Sequence, residues 1–530
     1  MTRAHPVRYL SRRTQTLWPR AAVAGSHYTA VAAAEAALRA GGHAVDAAVA
    51  GTFTLCVCEP QSTSLGADLC AMVHEPGRPV AALNATGPAP RAMTLEALAA
   101  RGIREKWPGY GAETVSVPGL VRGAEALWRR FGRLPWERLW ESALDWAENG
   151  IPVTDHVAAD WTRAQPRLAR DPDSQARYLR NGEALPAGTR LELPDLARTI
   201  RTLRDGGADA FYTGAIAAEI ARSVQEKGGF IAEDDLAVYA PRWVEPLRVD
   251  YRGHTILEMP PNSQGAIVIE ALNILDGFGA GGSEVDRIHR QIEAVKIAFA
   301  DGMRRIADPD AAAVDIGPML DKDRAADLRR TIDMGRARQP QAAPAGDGHN
   351  TAYIAVVDGD GNAVSLINSS KEGFGSGVTA GTTGIMLQRR ADAFSLTAGH
   401  VNAVAPGKRP FHTILPSLAY RGDELWAVYG TTGGIGQAQN QVQVLQALID
   451  DRVAPQTAVD RPRFSVRENL AVVVEERFGQ EILGELERRG HPLRFVDRST
   501  IFGGAHAILR EDGWLLPASD PRRDGGVRGF

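Results

Sequence analysis

Cysteine is nearly missing from this chain of 530 residues: there are three, Cys56, Cys58 and Cys70, crowded into one short stretch. A C-x-C pair with one later cysteine is neither a zinc pattern nor an even disulfide set, so buried free thiols are expected. Long apolar runs are also lacking, and none approaches the ~18 residues of a membrane span. Neither sign of charge dominates; a net charge of −4 gives no electrostatic case for nucleic acid or an anionic membrane as partner. The 12 histidines show no H-E-x-x-H or other ligand spacing, so no metal is expected. The basic N-terminus has no apolar core of the kind a secretory signal needs, which points to a cytoplasmic protein.

What is present describes a soluble globular chain, 44% hydrophobic and 23% charged, too long for the usual single domain. Two or more domains, or one large fused core, are expected. Helix signals lie at 29 to 39, capped by Thr29 and stopped by Gly41 and Gly42, and in a second helix beginning over 46 to 52. Others run from Pro135 to Asn149 and over 287 to 305. Strands are expected at 69 to 74, 79 to 84, 246 to 258, 352 to 368, 384 to 388, 425 to 430 and near 502 to 516. Their interleaving with helices implies an α+β protein with a mixed sheet.

One stretch organises the rest. Residues 335 to 350, rich in Pro, Ala and Gly, read as an exposed linker, and at Thr351 the chain enters TAYIAVV-DGDGN-AVSLI, a buried β-hairpin. A threonine hydroxyl is a weak nucleophile. Freed by a cut at Asn350-Thr351, Thr351 would carry its own base, an α-amino group whose ordinary pKa is about 7.7 to 8. Further on, G-T-T-G-G-I-G at 430 to 436 follows a strand, so backbone N–H groups can approach a ligand with no side chains between. It lacks G-x-G-x-x-G spacing and a P-loop lysine, so no nucleotide cofactor is expected.

These segments resemble the γ-glutamyltransferases, self-cleaving N-terminal-nucleophile hydrolases. The similarity continues through GFGSGVTAGTTGIML, GKRPFHTILPSL and YGTTGGIGQ, and covers LRAGGHAVDAAVAGTFTLCVCEPQ, VSVPGLVRGAEALWRRFGRLPW and EMPPNSQG in the first half. The resemblance implies a four-layer αββα sandwich built from two segments, 1–350 and 351–530, the large and small subunits of one precursor. It also implies Thr351 as nucleophile, Ser369 as its hydrogen-bonded support, and Gly433 and Gly434 as the oxyanion hole. On spacing alone, Ser369 could equally be a satisfied core serine.

The departures are informative. Thr86 stands where the family grips a glutamyl carboxylate with arginine. Lys371, Arg390 and Ala393 fall where it grips the α-amino group with acceptors and a carboxylate, with Asp392 one residue short. His412 and Thr413 replace a serine pair. Cations in such a pocket would repel an ammonium by about 1 to 4 kcal/mol per close pair and attract a carboxylate. The expectation is therefore an amidohydrolase for a small anionic amide, oxamate-like, with Lys371, Arg390, His412 and Thr413 contacting substrate and water or an amine as acceptor. Two alternatives stand beside it: a γ-glutamyltransferase or glutathione hydrolase, and an unprocessed homologue that only binds. On a denaturing gel, processing should give fragments of 350 and 180 residues, and Thr351→Ala should stay a single band.

Overall fold

The computed structural model describes residues 13–279, 281–338, 350–467, 471–496 and 499–530. Most of the expected linker, 339 to 349, lies outside the described residues. Alternating apolar side chains build two antiparallel sheets. The first runs in the order Gly526–Gly529, Ala22–Gly25, Ala352–Val357, Ala363–Ser369, Asp68–His74, Ala81–Ala85, Arg242–Val244. The second runs Trp514–Ser519, Ala505–Glu511, Glu424–Thr431, Pro416–Arg421, His254–Glu258, Leu247–Tyr251. Strands from before and after Thr351 occur in both sheets.

Period-two alternation decides which layer each side chain enters. Ile354, Val356, Val364, Leu366, Leu69 and Ala71 pack under the helices Tyr28–Arg39 and Ala44–Cys58. Tyr353, Ala355, Ala363, Ile367, Cys70 and Met72 face Leu418, Val428 and Ile508 of the other sheet. The far face of that second sheet is covered by Gly265–Asp276, Glu284–Arg305 and Gly436–Ile449. The order is helices, sheet, sheet, helices, the αββα sandwich. A polar strut joins the sheets: Ser365 Oγ lies 2.8 Å from the Tyr353 hydroxyl, donates to Tyr429 O at 3.1 Å and accepts from Ser417 N at 3.0 Å.

Several local expectations are corrected. The first helix is capped by His27, whose Nδ1 accepts from Thr29 N at 3.3 Å; Thr29 is already inside the first turn, with its hydroxyl 2.7 Å from that ring nitrogen. His43 caps the second helix in the same way, in a capping box with Asp46. After Pro135 comes a short 3₁₀ segment, Trp136–Trp140, before the helix Glu141–Asn149; both tryptophans close on the Phe53 ring, with centroids 5.4 and 3.5 Å away. Residues 384 to 388 form no strand. Among the described residues, their only ladder contacts are isolated bridges, Thr379 to Met386 and Gly66 to Leu387, in a segment turned by Gly381 and Gly384 at positive φ. The three cysteines are buried and free, as expected.

The strand Ala81–Ala85 leaves its sheet where two backbones nearly touch: a Cβ on Gly87 would lie 1.4 Å from Val117 O, and one on Gly119 would lie 2.0 Å from Ala85 O. Rigid main chain cannot yield as a side-chain tip can. Gly87→Ala should destabilise the fold by at least about 3 kcal/mol in denaturant titration, or abolish soluble protein.

Candidate active site

The hairpin turn fixes where Thr351 lies. Asp358 Oδ1 accepts from Asp360 N at 3.0 Å and Asn362 N at 2.9 Å, a local side-chain turn with Gly361 at φ +85°. The register that follows pairs Ala352 with Asn368, so Thr351 and Ser369 sit side by side at the open end, on the face toward the second sheet. Thr351 Oγ1 lies 3.2 Å from Ser369 Oγ and 2.8 Å from the carbonyl oxygen of Asn350; Ser369 Oγ lies 3.2 Å from that same oxygen. Lys371 N donates back to Ser369 Oγ at 2.9 Å through a left-handed turn at Lys371, φ +86°. Both hydroxyls are fully buried.

The glycine pair arrives from the second sheet. Gly433 and Gly434 have φ of +112° and +58°, conformations that cost a side-chain-bearing residue, and a Cβ on Gly433 would meet Gly503 Cα at 3.0 Å. Their carbonyls start the helix Gly436–Ile449, accepting from Gly436 N and Gln437 N at 3.0 and 3.1 Å. Among the described residues, neither glycine's N–H donates to another protein group. Gln437, in the first turn of that helix, ties the two parts together. Its Oε1 accepts from Leu415 N at 3.1 Å and its Nε2 donates to Thr351 Oγ1 at 3.3 Å.

Around this centre lies a buried charge network. Arg390, fully buried, donates from one nitrogen to Thr413 Oγ1 at 3.0 Å, while its Nε and other terminal nitrogen have no partner among the described residues. Burial lowers its pKa to about 10 against the pull of Asp68 and Asp392, which still leaves it charged at neutral pH. His412 Nε2 lies 3.0 Å from Asp68 Oδ2, and its Nδ1 accepts from Ile414 N at 3.3 Å. The proton is therefore on Nε2 and the ring is neutral, held so by burial and by the Arg390 and Lys371 charges. Burial raises Asp68 to about 7, opposed by Arg390 and by N–H groups of Gly87 and Gly119 at 3.1 and 3.2 Å.

Lys371 is not an available cation. Its ammonium contacts Asp392, which also takes Arg389 Nε at 2.8 Å; Arg389 reaches Glu372 at 2.8 Å, and Arg167 reaches Glu372 at 3.3 Å. Lys371 is half-buried and its charge is met by Asp392, whereas Arg390 is fully buried with two nitrogens that have no partner among the described residues. Thr86 donates to Asn84 Oδ1 at 2.7 Å while its carbonyl accepts from Arg409 Nε at 2.8 Å.

Two residues that sequence reasoning missed had weak signals. Asp68 is a lone acid opening an apolar strand. Gln437 is the second residue of G-Q-A-Q-N-Q, a helix start rich in amides, of which Gln437, Gln439, Asn440 and Gln441 are buried. Elsewhere, His289 and Glu293 of the helix Glu284–Arg305 meet His491 in a group with metal-ligand character. Lys296 already takes Glu293 at 2.8 Å, the histidines are joined to each other at 2.7 Å, and His289 Nε2 lies 2.9 Å from Asp333 O.

The family model for gamma-glutamyltranspeptidase matches residues 30–530. The chain belongs to that family. It is therefore an enzyme of the hydrolase and acyltransferase kind. The oxamate amidohydrolase proenzyme of Klebsiella pneumoniae is 35% identical over 520 residues, covering 95% of this chain and 97% of the relative. The glutathione hydrolase-like YwrD proenzyme of Bacillus subtilis is 34% identical over 525 residues, covering 96% and 98%. In three dimensions the chain is similar to the crystal structure of a cephalosporin acylase from Bacillus halodurans, with a TM-score of 0.93, 36% identity, and coverage of 100% and 99%.

Burial opposes ionisation of Asp392, but Lys371 and Arg389 outweigh it and hold its pKa below the ordinary carboxylate value. A depressed carboxylate contributes stability that is complete above its unfolded pKa and is lost as pH falls through the folded one. Asp392→Asn should cost about 3 kcal/mol or more at pH 7, and the gap from the unsubstituted enzyme should narrow below about pH 4 in pH-dependent denaturation.

Proposed function

We propose that this member of the γ-glutamyltranspeptidase family is a self-processing threonine amidohydrolase for a small carboxylate-bearing amide, oxamate-like in charge and size. The reading makes residues 1–350 and 351–530 two chains of one folding unit, with Thr351 as the new N-terminus. Its free amine, with an ordinary pKa of about 7.7 to 8, takes the hydroxyl proton as Oγ1 attacks the substrate carbonyl. The Gly433 and Gly434 N–H groups receive the oxyanion, at about 2.7 to 4 kcal/mol per donor. Collapse breaks the C–N bond, the departing nitrogen takes the proton from the ammonium, and the acyl group remains as a Thr351 ester. Water attacks that ester, the amine again acting as base, and the acid leaves.

Arg390 carries the substrate assignment. A desolvated guanidinium with two unused donors matches a carboxylate in geometry and charge, where an ammonium would meet repulsion. The site in which the family accepts an α-amino group offers it little: Asp392, the surviving acid, is already taken by Lys371 and Arg389. The name of the Klebsiella relative agrees with this charge preference, while the names of the glutathione hydrolases favour the γ-glutamyl alternative.

The two readings part in an assay of oxamate, a glutaryl anilide and a γ-glutamyl anilide. Anionic donors lacking the amino group should be turned over with the higher kcat/KM. Arg390→Gln should lower that kcat/KM roughly thirtyfold or more, the loss of about 2 kcal/mol from a truncated buried charge contact. Brisk turnover of the γ-glutamyl anilide that ignores Arg390→Gln would reject the substrate assignment.

A further inference from the structure

The α-amino group that serves as base in turnover does not exist before the cut, because it is still the amide nitrogen of the Asn350–Thr351 bond. The first cleavage needs another route for the Thr351 proton. We propose that Gln437 is a catalytic residue of self-cleavage, a fixed amide donor on the nucleophile's oxygen that sets the direction in which the hydroxyl gives up its proton. This rests on the reading of Thr351 as nucleophile.

The orientation of Gln437 is set by its partners. Its Oε1 accepts from Leu415 N at 3.1 Å, which leaves only the Nε2 donors to face Thr351 Oγ1 at 3.3 Å. At the other end, the Lys371 N–H donates to Ser369 Oγ at 2.9 Å. A carboxamide N–H and a backbone N–H can only donate, so each occupies a lone pair of the hydroxyl it meets. Each hydroxyl proton is left to point inward. What lies inward is the Asn350 carbonyl oxygen, 2.8 Å from Thr351 Oγ1 directly and also reached through Ser369 Oγ by two legs of 3.2 Å. Gln437 and the Lys371 N–H thus polarise one relay from both ends, and it terminates on the oxygen that gains charge when Oγ1 attacks.

The step balances without an outside base. The bond from Thr351 Oγ1 to the Asn350 carbonyl carbon forms as the Thr351 proton passes to Ser369 Oγ and the Ser369 proton passes to the Asn350 oxygen. The tetrahedral carbon then expels the Thr351 nitrogen, which takes the proton from the new C–OH group. An amine and an Asn350 ester of Thr351 Oγ1 remain, and water hydrolyses the ester to the Asn350 carboxylate and the free hydroxyl.

Two substitutions at 437 separate polarity from shape. Gln437→Leu removes the donor. Gln437→Glu keeps the shape but is an acceptor when ionised and an O–H donor when protonated. Full-length chains made by cell-free synthesis would be followed on denaturing gels from pH 5 to 9, each against the unsubstituted chain at the same pH. Gln437→Leu should cleave roughly tenfold or more slowly throughout. Gln437→Glu should be similarly slow at pH 9 and recover toward the unsubstituted rate at pH 5, a reversal that also shows the variant to be folded. A Leu variant of unchanged melting temperature that cleaves at full rate, or a Glu variant with no advantage over Leu at any pH, would overturn the proposal. Thr351→Ala run alongside distinguishes the two levels. If it is cut at the same bond, the nucleophile reading fails; if it stays whole while Gln437→Leu cleaves normally, only the role of Gln437 fails.

Discussion

The antiparallel ladder between Ala352–Val357 and Ala363–Ser369 is the constraint on which the rest depends. It is central in its sheet, with Ala22–Gly25 on one side and Asp68–His74 on the other, and every residue of both strands is buried. A slip of one residue would exchange the faces and carry Thr351 from the space between the sheets to the helix side. With both faces committed to packed layers, such a slip would also bury the wrong side chains throughout. The position of Thr351 is thus enforced by the hydrophobic core, not by the few hydrogen bonds around its hydroxyl.

Against that apolar frame, the neighbourhood of Thr351 holds an unusual density of buried charge. Burying an ion is costly unless a partner and hydrogen bonds compensate, and here half-buried and buried charges compensate one another in a chain of alternating sign: Arg167, Glu372, Arg389, Asp392, Lys371. Asp68 is met by two backbone N–H groups and a neutral imidazole. Arg390 is the exception, since one hydroxyl cannot satisfy a guanidinium. An unsatisfied buried donor is energy held in reserve, and a ligand carboxylate that satisfies it recovers what folding gave up.

The sequence foretold the parts of this site that are local. The hairpin follows from TAYIAVV, DGDGN and AVSLI, and the glycine pair from its place after a strand, since both depend on residues within a few positions of one another. What it could not disclose were partners set by the tertiary fold: His412 meets Asp68 across hundreds of residues, and Arg390 meets Thr413 only after two loops have folded together. Lys371 was visible as a charge, but its neutralisation by Asp392 depends on a left-handed turn that no pattern announces. The histidine caps escaped for a related reason: Thr29 fits the usual preference, and only the ring geometry of His27 displaces it. Residues 384 to 388 have strand composition, but Gly381 and Gly384 turn the chain before a ladder can form.

Were the chain cut before Thr351, as proposed, the order of strands would govern what followed. Strand Ala22–Gly25, from the first segment, is held between Gly526–Gly529 and Ala352–Val357, both from the second. Two polypeptides woven in that way cannot drift apart as docked subunits do; separation requires tearing hydrogen-bonded ladders out of a closed interior. The uncut chain can find its fold as a single body, whereas a severed pair, once melted, must meet again by diffusion and rethread each strand. Such an enzyme would persist through the height of its unfolding barrier and would have little capacity to reassemble.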